Sequence, residues 1–286
     1  MNIKNIMRDL SVKLSKVSLS PDLDSEILLM KALKVSRAYL YTYNDKVISE
    51  SKKKLLEELV NRRMNKEPIA YILGKKEFWS RDFYINQHTL IPRPESEMLV
   101  ELIIQTNSRK KISCILELGT GCGCISVSLA KELSHSQIVS TDICAKALEV
   151  ANKNAQHYGV NNISFIKSDW FNELDNQKFD CIVSNPPYIR KDDPYLSELT
   201  FEPSKALVSG DDGLEAIEII ASDAAEYLSP EGQIFIEHGK DQEKEIQKIF
   251  ELNNWKDIIC YRDLGGLPLS LIHISEPTRL GMISYA

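Results

Sequence analysis

A glycine-rich turn places the strongest restriction on the fold of this chain. Gly119, Gly121 and Gly123 stand at alternate positions between an apolar run and a stretch with helical spacing. Glycine lets a backbone turn tightly and approach a ligand closely. The first N–H groups of the helix that follows have no intrahelical partners, which suits them to binding a polar ligand. The spacing fits the dinucleotide fingerprint poorly, so it predicts a strand, a binding turn and a helix without naming the ligand.

Around this turn, strand-like and helix-like segments alternate along the chain. We predict strands at 113–118, 137–142, 164–168, 179–184, 233–238 and 257–261, and helices at 97–105, 124–133, 145–158, 214–227 and 242–252. Such alternation is typical of a parallel sheet with helices on both faces. The predicted fold class is therefore α/β, with a Rossmann-like sheet in residues 96–286.

The first 74 residues predict a small helical domain. One helix is expected to begin at Pro21, with the hydroxyl of Ser20 as its cap. Another is expected over about 51–64, with Leu55, Leu56, Leu59 and Val60 facing inward. Aromatic, strand-like residues at 77–85 indicate a β-hairpin, and we assign 75–95 to a hairpin linker between the two domains.

Composition places the chain among globular proteins, since 43% of its 286 residues are hydrophobic and 27% are charged. Apolar runs are shorter than the roughly 20 residues of a membrane span. The N-terminus lacks the apolar core of a signal peptide. The six cysteines contain no C-x-x-C pair, so we expect no metal site. Cys114 and Cys181 stand in apolar strand-like runs, where a reduced, buried thiol is the usual state. These features indicate a cytoplasmic protein with no membrane partner.

Charge is distributed unevenly. Residues 1–80 contain 16 Lys and Arg against 10 Asp and Glu, a net charge of +6, whereas the whole chain carries −6. An acidic chain is unsuited to bulk binding of nucleic acid, because neutralising phosphates requires a basic surface. The basic segment is either a solvated helical face or a docking surface for an acidic or nucleic-acid-associated partner.

Polar residues at predicted strand ends complete a candidate cofactor site. Asp142 ends the strand after the glycine turn, where a carboxylate can accept hydrogen bonds from both hydroxyls of a ribose. Glu117, just before the turn, could hold an ammonium group. Asp169 could accept from an adenine amino group and Trp170 could stack on the ring, unless both are core residues at a strand end. Together they predict a cofactor that contains a nucleoside.

Asn185-Pro186-Pro187-Tyr188 ends the next strand and points to a reaction. Two prolines stop the sheet and leave carbonyl groups free, because proline has no N–H. The side-chain oxygen of Asn185 and the carbonyl of Pro186 can accept the two hydrogens of a planar NH₂ group, while Tyr188 packs against its plane. Held in this way, the weakly nucleophilic nitrogen can be aimed at an electrophile.

At these residues the chain resembles the release-factor glutamine N5-methyltransferases (HemK/PrmC), a family of class I S-adenosyl-L-methionine-dependent methyltransferases. The resemblance covers about residues 20–268. It is carried by 24–29 (DSEILL), 67–71 (EPIAY), 77–79 (EFW), 90–95 (LIPRPE), 117–123 (ELGTGCG), 169–171 (DWF), 185–188 (NPPY), 201–203 (FEP), 206–207 (AL) and 237–239 (EHG). The proline-arginine segment at 91–94 and the helical N-terminal domain are more specific than NPPY, which DNA adenine methyltransferases share.

The resemblance implies a role for each of these segments. The residues implied in cofactor binding are Glu117, Gly119, Thr120, Gly121, Cys122, Gly123, Asp142, Asp169, Trp170 and Asn185. Asn185, Pro186, Pro187 and Tyr188 would grip the glutamine of a Gly-Gly-Gln loop on a class I peptide-chain release factor, and Asn185, Pro186 and Tyr188 would be catalytic. The basic N-terminal domain would hold the body of that release factor, and the enzyme is expected to act as a monomer without direct contact to nucleic acid. Arg93 is expected either to help close the cofactor pocket or to form a structural ion pair.

Two other activities fit the same motifs. A glutamine methyltransferase that acts on a ribosomal protein differs only in the docking surface. A DNA adenine-N6 methyltransferase would flip its base into the same pocket, but the acidic net charge and the lack of a basic recognition domain argue against it. A non-catalytic cofactor-binding protein is disfavoured by the intact NPPY segment.

The end of the chain departs from the family pattern. After about Pro268 the sequence lacks the expected arginine-rich close, and we hypothesise a frameshift or a foreign read-through there. Leu271, Ile272 and Ile274 could still form the final antiparallel strand of the family.

Overall fold

The computed structural model describes residues 1–261 and, as a strand, residues 270–275. The chain forms two compact units, Met1–Lys75 and Lys76–Ala286. Within the described ranges, no helix is both long enough and apolar enough to cross a bilayer.

The first unit is built from helices. Their bounds are α1 (Ile3–Leu14), α2 (Pro21–Leu33), α3 (Arg37–Thr42), α4 (Glu50–Met64) and α5 (Ile69–Leu73). Side chains from all of these helices meet in one apolar core, in which Leu14, Leu28 and Leu40 are completely buried. An ion pair of 2.7 Å between Arg63 Nε and the buried Asp24 joins α4 to α2.

Two details of the helical prediction were wrong. The helix α2 begins at Pro21 as predicted, but the Ser20 side chain makes no capping hydrogen bond; Asp22 and Asp24 occupy the first turn, where negative charge is favourable. Leu55 is 36% exposed, because the inward stripe of α4 runs through Leu56, Leu59 and Val60.

The boundary between the units falls after the first residue of a hairpin, which consists of β1 (Lys75–Phe78) and β2 (Arg81–Tyr84). Its two-residue turn, Trp79-Ser80, has positive φ at both positions (50° and 54°). Positive φ at both central residues is the backbone of a type I′ turn, which matches the twist of paired strands.

A seven-stranded sheet dominates the second unit. Its strands are β3 (Cys114–Leu118), β4 (Gln137–Asp142), β5 (Ile163–Lys167), β6 (Phe179–Ser184), β7 (Leu228–His238), β8 (Lys256–Tyr261) and β9 (Ser270–Ser275), in the spatial order β5-β4-β3-β6-β7-β9-β8. Strands β3 to β7 pair in parallel, whereas β9 is antiparallel to both of its neighbours. The predicted parallel α/β fold is confirmed.

Helices flank this sheet in two groups. The α-helices are α6 (Glu97–Arg109), α7 (Cys124–Glu132), α8 (Ala145–Tyr158), α9 (Glu215–Asp223) and α10 (Glu243–Leu252). The sheet side chains Leu116, Ile182 and Ile234 form one core with residues of α9 and α10. Since alternate residues of a strand face opposite sides, Glu117 and Glu237 face the other side.

The hypothesis about the chain end concerns residues of which only 270–275 lie within the described range. Leu271, Ile272 and Ile274 lie in β9, which is hydrogen-bonded to β7 on one side and to β8 on the other. Residues 262–269 and 276–286 fall outside the described residues.

Candidate active site

The topology brings the predicted site residues to one edge of the sheet. Strand β3 lies between β4 and β6, with Leu118 paired to Thr141 on one side and to Ser184 on the other. The glycine turn, Asp142 and Asn185 follow directly after these ends. The Ser184 hydroxyl donates a 2.9 Å hydrogen bond to the Leu118 carbonyl and fastens the two strand ends together. Ligands of open α/β sheets bind at such carboxyl ends.

The glycine turn adopts a backbone that requires glycine. Gly119 and Gly121 have φ values of 73° and 55°, and a Cβ placed on either would meet nothing within 4 Å. Left-handed conformation, not crowding, therefore selects glycine at these two positions. Open space beside them leaves room for a ligand. Gly123 has a positive φ of 79° as well, and packing adds a second constraint there, because a Cβ would lie 3.0 Å from Cβ of Ala151 on α8.

Glu117 is a buried carboxyl at the start of the turn. Its Oε2 accepts hydrogen bonds from the hydroxyls of Thr120 and Ser140, the second at 3.2 Å, and Thr120 also contacts Ser126 at 3.2 Å. Burial raises the pKa of Glu117 to about 7, although these hydroxyls act in the opposite direction. A buried carboxylate of this kind gains most from a cationic partner.

Asp142 is fixed by the backbone around it. Its Oδ2 accepts from the Gly121 N–H and its Oδ1 from the Cys144 N–H, both at 2.8 Å. Burial raises its pKa, and these two bonds oppose that rise. Each carboxylate oxygen has a second lone pair, so Asp142 can still accept from a hydroxyl pair of a ligand.

Asp169 and Trp170 follow β5, as the sequence predicts. The Asp169 side chain is exposed. Trp170 is half-buried, has a positive φ of 49°, and packs against the core on the α9 and α10 side. Cys122 is buried, and its backbone carbonyl accepts from Asn154 Nδ2 at 2.8 Å.

The NPPY segment presents two acceptors. Asn185 is half-buried, and its Nδ2 donates a 2.9 Å hydrogen bond to Ser96 Oγ. Within the part of the chain that the structure describes, neither Asn185 Oδ1 nor the Pro186 carbonyl accepts a hydrogen bond. These two acceptors of one turn therefore have no donor among the described residues.

Behind this segment lies a buried carboxyl. Ser96 Oγ donates to Glu237 Oε2 at 2.5 Å, and the Tyr188 hydroxyl donates to Glu237 Oε1 at 3.4 Å. Ser96 and Glu237 are each only 3% exposed. Burial raises the pKa of Glu237 to about 7, and it also raises the pKa of the Tyr188 hydroxyl.

Sequence reasoning missed the roles of Ser96, Glu237 and Gln242. Gln242 donates from Nε2 to the carbonyls of Tyr188 (3.1 Å) and Gly213 (3.3 Å), while its Oε1 accepts from the Gly239 N–H at 2.9 Å. Glu237 belongs to the EHG motif at 237–239, but nothing in its local sequence connects it with Ser96, which lies 141 positions away.

Arg93 forms an ion pair. Its guanidinium lies 2.6 Å from Glu202 Oε1, and Glu202 Oε2 accepts from the Ile91 N–H at 3.0 Å. Glu202 is only 3% exposed at its side chain. The structural ion pair is thus the alternative that the geometry supports for Arg93.

Comparison with known proteins finds two matching family models and a full-length relative. Residues 94–253 match the family model described as methyltransferase small domain, and residues 6–74 match the PrmC N-terminal domain. A release factor glutamine methyltransferase of Coxiella burnetii is 40% identical over 272 residues, which is 95% of this chain and 98% of that protein.

Two further relatives add context. A bifunctional methyltransferase of Rickettsia conorii is 38% identical over 93% of this chain, which spans only 56% of that protein. A methyltransferase structure from Pyrococcus furiosus superposes with a TM-score of 0.51 over 75% of this chain and 96% of that one; at 21% identity it shows the fold alone. By its two family models and its full-length relative, the chain belongs to the release factor glutamine methyltransferase family and is a methyltransferase.

Proposed function

We propose that this enzyme transfers a methyl group from S-adenosyl-L-methionine to the side-chain amide nitrogen (N5) of the glutamine in the Gly-Gly-Gln motif of class I peptide-chain release factors. One observation carries the proposal. Asn185 Oδ1 and the Pro186 carbonyl stand together on a rigid turn without donors from the described residues. Two adjacent acceptors match the two hydrogens of a carboxamide NH₂.

The residues around the glycine turn fit the methyl donor. Open space beside Gly119 and Gly121 allows close approach of a ligand. The carboxyl of Glu117 suits the ammonium group of the donor, and that of Asp142 suits its ribose hydroxyls. Trp170 offers a flat face and Asp169 an acceptor for the adenine. When bound, S-adenosyl-L-methionine supplies an electrophilic methyl group on a sulfonium.

The enzyme contributes orientation. An amide nitrogen is a poor nucleophile, because its lone pair is delocalised into the carbonyl. Acceptance of both N–H hydrogens by Asn185 and Pro186 fixes the plane of the amide, and the half-buried Tyr188 ring can pack on that plane. Such fixed geometry is a large source of rate enhancement.

The same acceptors stabilise the transition state. As the N–C bond forms and the C–S bond breaks, positive charge develops on nitrogen and the sulfur keeps the electron pair. Oxygen acceptors aimed at the N–H groups stabilise that charge. One N–H proton then leaves the product amide for solvent, so the reaction requires no strong base before transfer.

The first unit is proposed to hold the body of the release factor. The net charge of +6 on residues 1–80 complements an acidic surface. Specificity for a release factor over another glutamine-bearing protein would then depend on this unit, since NPPY contacts only the glutamine.

An assay with radiolabelled methyl donor tests the substrate. Purified enzyme is offered a class I release factor, ribosomal proteins or DNA that contains adenine, and we expect label on the release factor glutamine. Label on DNA, or on a ribosomal protein in preference to the release factor, would overturn the proposal.

The role of Asn185 is tested by Asn185→Ala. We expect turnover to fall by at least about 100-fold, the order seen when one group that stabilises transition-state charge is removed. Cofactor affinity, measured by calorimetry, should change less than threefold. An equal loss of turnover and cofactor binding would contradict the assigned role.

A further inference from the structure

The side-chain amide of Asn185 has two possible orientations that differ in chemistry. With Oδ1 toward the substrate, Asn185 accepts an N–H hydrogen of the substrate amide. With Nδ2 toward the substrate, the donor groups of Asn185 and of the substrate would face each other and no hydrogen bond would form. The two orientations have nearly the same shape, so packing alone does not select between them. A hydrogen-bond partner of fixed polarity must do so.

Ser96 supplies that partner. Its Oγ is 2.9 Å from Asn185 Nδ2 and 2.5 Å from Glu237 Oε2. An ionised carboxylate only accepts hydrogen bonds, so the single hydrogen of the Ser96 hydroxyl goes to Glu237. What Ser96 then offers to Asn185 is a lone pair, and this selects the Nδ2 side of the amide.

Glu237 also contacts the other end of the segment. The Tyr188 hydroxyl donates to its second oxygen at 3.4 Å. The Asn185 amide also acts on Glu237 directly, as a hydrogen bond that stabilises the charged carboxyl. One buried carboxyl therefore contacts Tyr188 directly and Asn185 both directly and through Ser96. Glu95 is the charged neighbour that acts on this carboxyl, and its negative charge works with burial in raising the Glu237 pKa to about 7.

On the basis of the proposed function, we infer that Ser96 and Glu237 are positioning residues that set the polarity of the Asn185 amide. They act from behind the reacting groups and do not touch the substrate. Glu237 accepts from Ser96 and from the Asn185 amide, and Ser96 presents a lone pair to the same amide, so that Asn185 Oδ1 is directed to the glutamine NH₂. We call this set of contacts among Glu237, Ser96 and Asn185 the relay.

The relay predicts a specific pattern of kinetic loss. At pH 8, Ser96→Ala should lower kcat with release factor by about 10-fold to 100-fold, while KM for the release factor and the cofactor Kd change less than threefold. Glu237→Leu should give a similar loss, because the Ser96 hydrogen then becomes available to Asn185 Oδ1. The matched control is Ser136→Ala. Ser136 is also buried, but its hydroxyl donates to the backbone carbonyl of Ile112 at 2.6 Å. It should retain kcat within twofold.

The double variant distinguishes a relay from two independent structural defects. If Ser96 and Glu237 act on the same amide, the double variant Ser96→Ala with Glu237→Leu loses clearly less kcat than the product of the two single losses. A loss equal to the product of the two single losses would overturn the relay. So would a Ser96→Ala variant with kcat within twofold of wild type.

An NMR experiment tests the relay without any substrate. In protein labelled with ¹⁵N-asparagine, the Asn185 side-chain NH₂ signals, assigned by their absence in Asn185→Asp, should shift in Ser96→Ala and stay unchanged in Ser136→Ala. Unshifted signals in Ser96→Ala would refute the relay. If the wild-type enzyme labels no release factor while Ser96→Ala still shows this shift, the proposed function is refuted and the relay stands.

Discussion

At the scale of single residues, the site is unusual for two buried carboxyls on the same face of the sheet. Glu117 and Glu237 are almost inaccessible to solvent, and burial raises the pKa of each to about 7. Proteins tolerate such groups mainly where chemistry requires them. Here one lies at the glycine turn and the other lies behind NPPY.

The raised pKa of Glu117 makes a prediction about stability. The folded state holds this proton up to about pH 7, whereas the unfolded chain releases it near pH 4.5. Stability from this group is therefore greatest below pH 4.5 and is lost as pH rises to about 7. Without cofactor at pH 8, Glu117→Gln should have a free energy of unfolding on the order of 1–3 kcal/mol above wild type.

Urea denaturation at several pH values measures this difference. The gap between the variant and wild type should close as the pH falls from 8 to 5. A gap that stays constant over this range would show that Glu117 does not titrate as its burial indicates. In the same variant, cofactor affinity should fall, because a neutral amide no longer attracts an ammonium group.

At the scale of elements, the hairpin β1–β2 is joined to the glycine turn by one asparagine of α8. Asn154 is fully buried; its Oδ1 accepts from the Tyr84 N–H at 2.8 Å, and its Nδ2 donates to the carbonyls of Tyr84 and Cys122 at 2.9 and 2.8 Å. A single side chain thus holds the end of β2 and the glycine turn in one arrangement.

Asn154→Ala should therefore affect both elements. Loss of three buried hydrogen bonds should reduce the free energy of unfolding by about 2–4 kcal/mol. Cofactor affinity should fall about 3-fold to 10-fold as the turn loosens. The control is Asn152→Ala on the same helix, an exposed residue whose amide donates a hydrogen bond to the Leu148 carbonyl. Calorimetry measures the cofactor affinity, and thermal melts measure the stability. Equal behaviour of the two variants would refute the idea that Asn154 joins the hairpin to the glycine turn.

Elements with a strong local pattern were predictable from the sequence. Strands 137–142 and 179–184 and the helix 145–158 have the predicted bounds. The helices α3 and α5 were missed, because six and five residues are too few to display a helical period. The turn Trp79-Ser80 carries no glycine or asparagine to mark its positive φ.

Long-range partners were not predictable in the same way. The glycine turn follows β3, Asp142 ends β4 and Asn185 follows β6. Because the carboxyl ends of parallel strands meet at one edge of the sheet, the sequence alone places these residues together. The Ser96–Glu237 contact depends on how α6 begins relative to β7, and no local pattern encodes that. The positions of the motifs could therefore be predicted from the sequence. The contacts that orient their side chains could not, because they depend on the three-dimensional fold.

At the scale of the whole molecule, the two units differ in net charge. Residues 1–80 carry a net charge of +6, whereas the whole chain carries −6, and the basic residues of the first unit include the exposed Lys53 and Lys54 on α4. If this unit docks the release factor, reversing charge there should weaken binding without affecting chemistry.

We expect Lys53→Glu with Lys54→Glu to raise KM for the release factor about 3-fold to 10-fold, with kcat and cofactor Kd unchanged. Salt should have a weaker effect on KM in this variant, because part of the attraction that salt screens has been removed. The control reverses Lys244 and Lys248, exposed on α10 of the second unit. A similar rise in KM from both pairs would show that net charge, not the first unit, steers the substrate.

The strand order has a consequence for shortened forms of this protein. Strand β9 comes last in sequence among the described strands, yet it lies between β7 and β8. A chain that stops before Ser270 therefore leaves one flank of β7 unpaired and separates β8 from the sheet. Unpaired strand flanks are templates for association between molecules. Truncated copies should accumulate as insoluble aggregates even though every residue of the glycine turn and of NPPY is present.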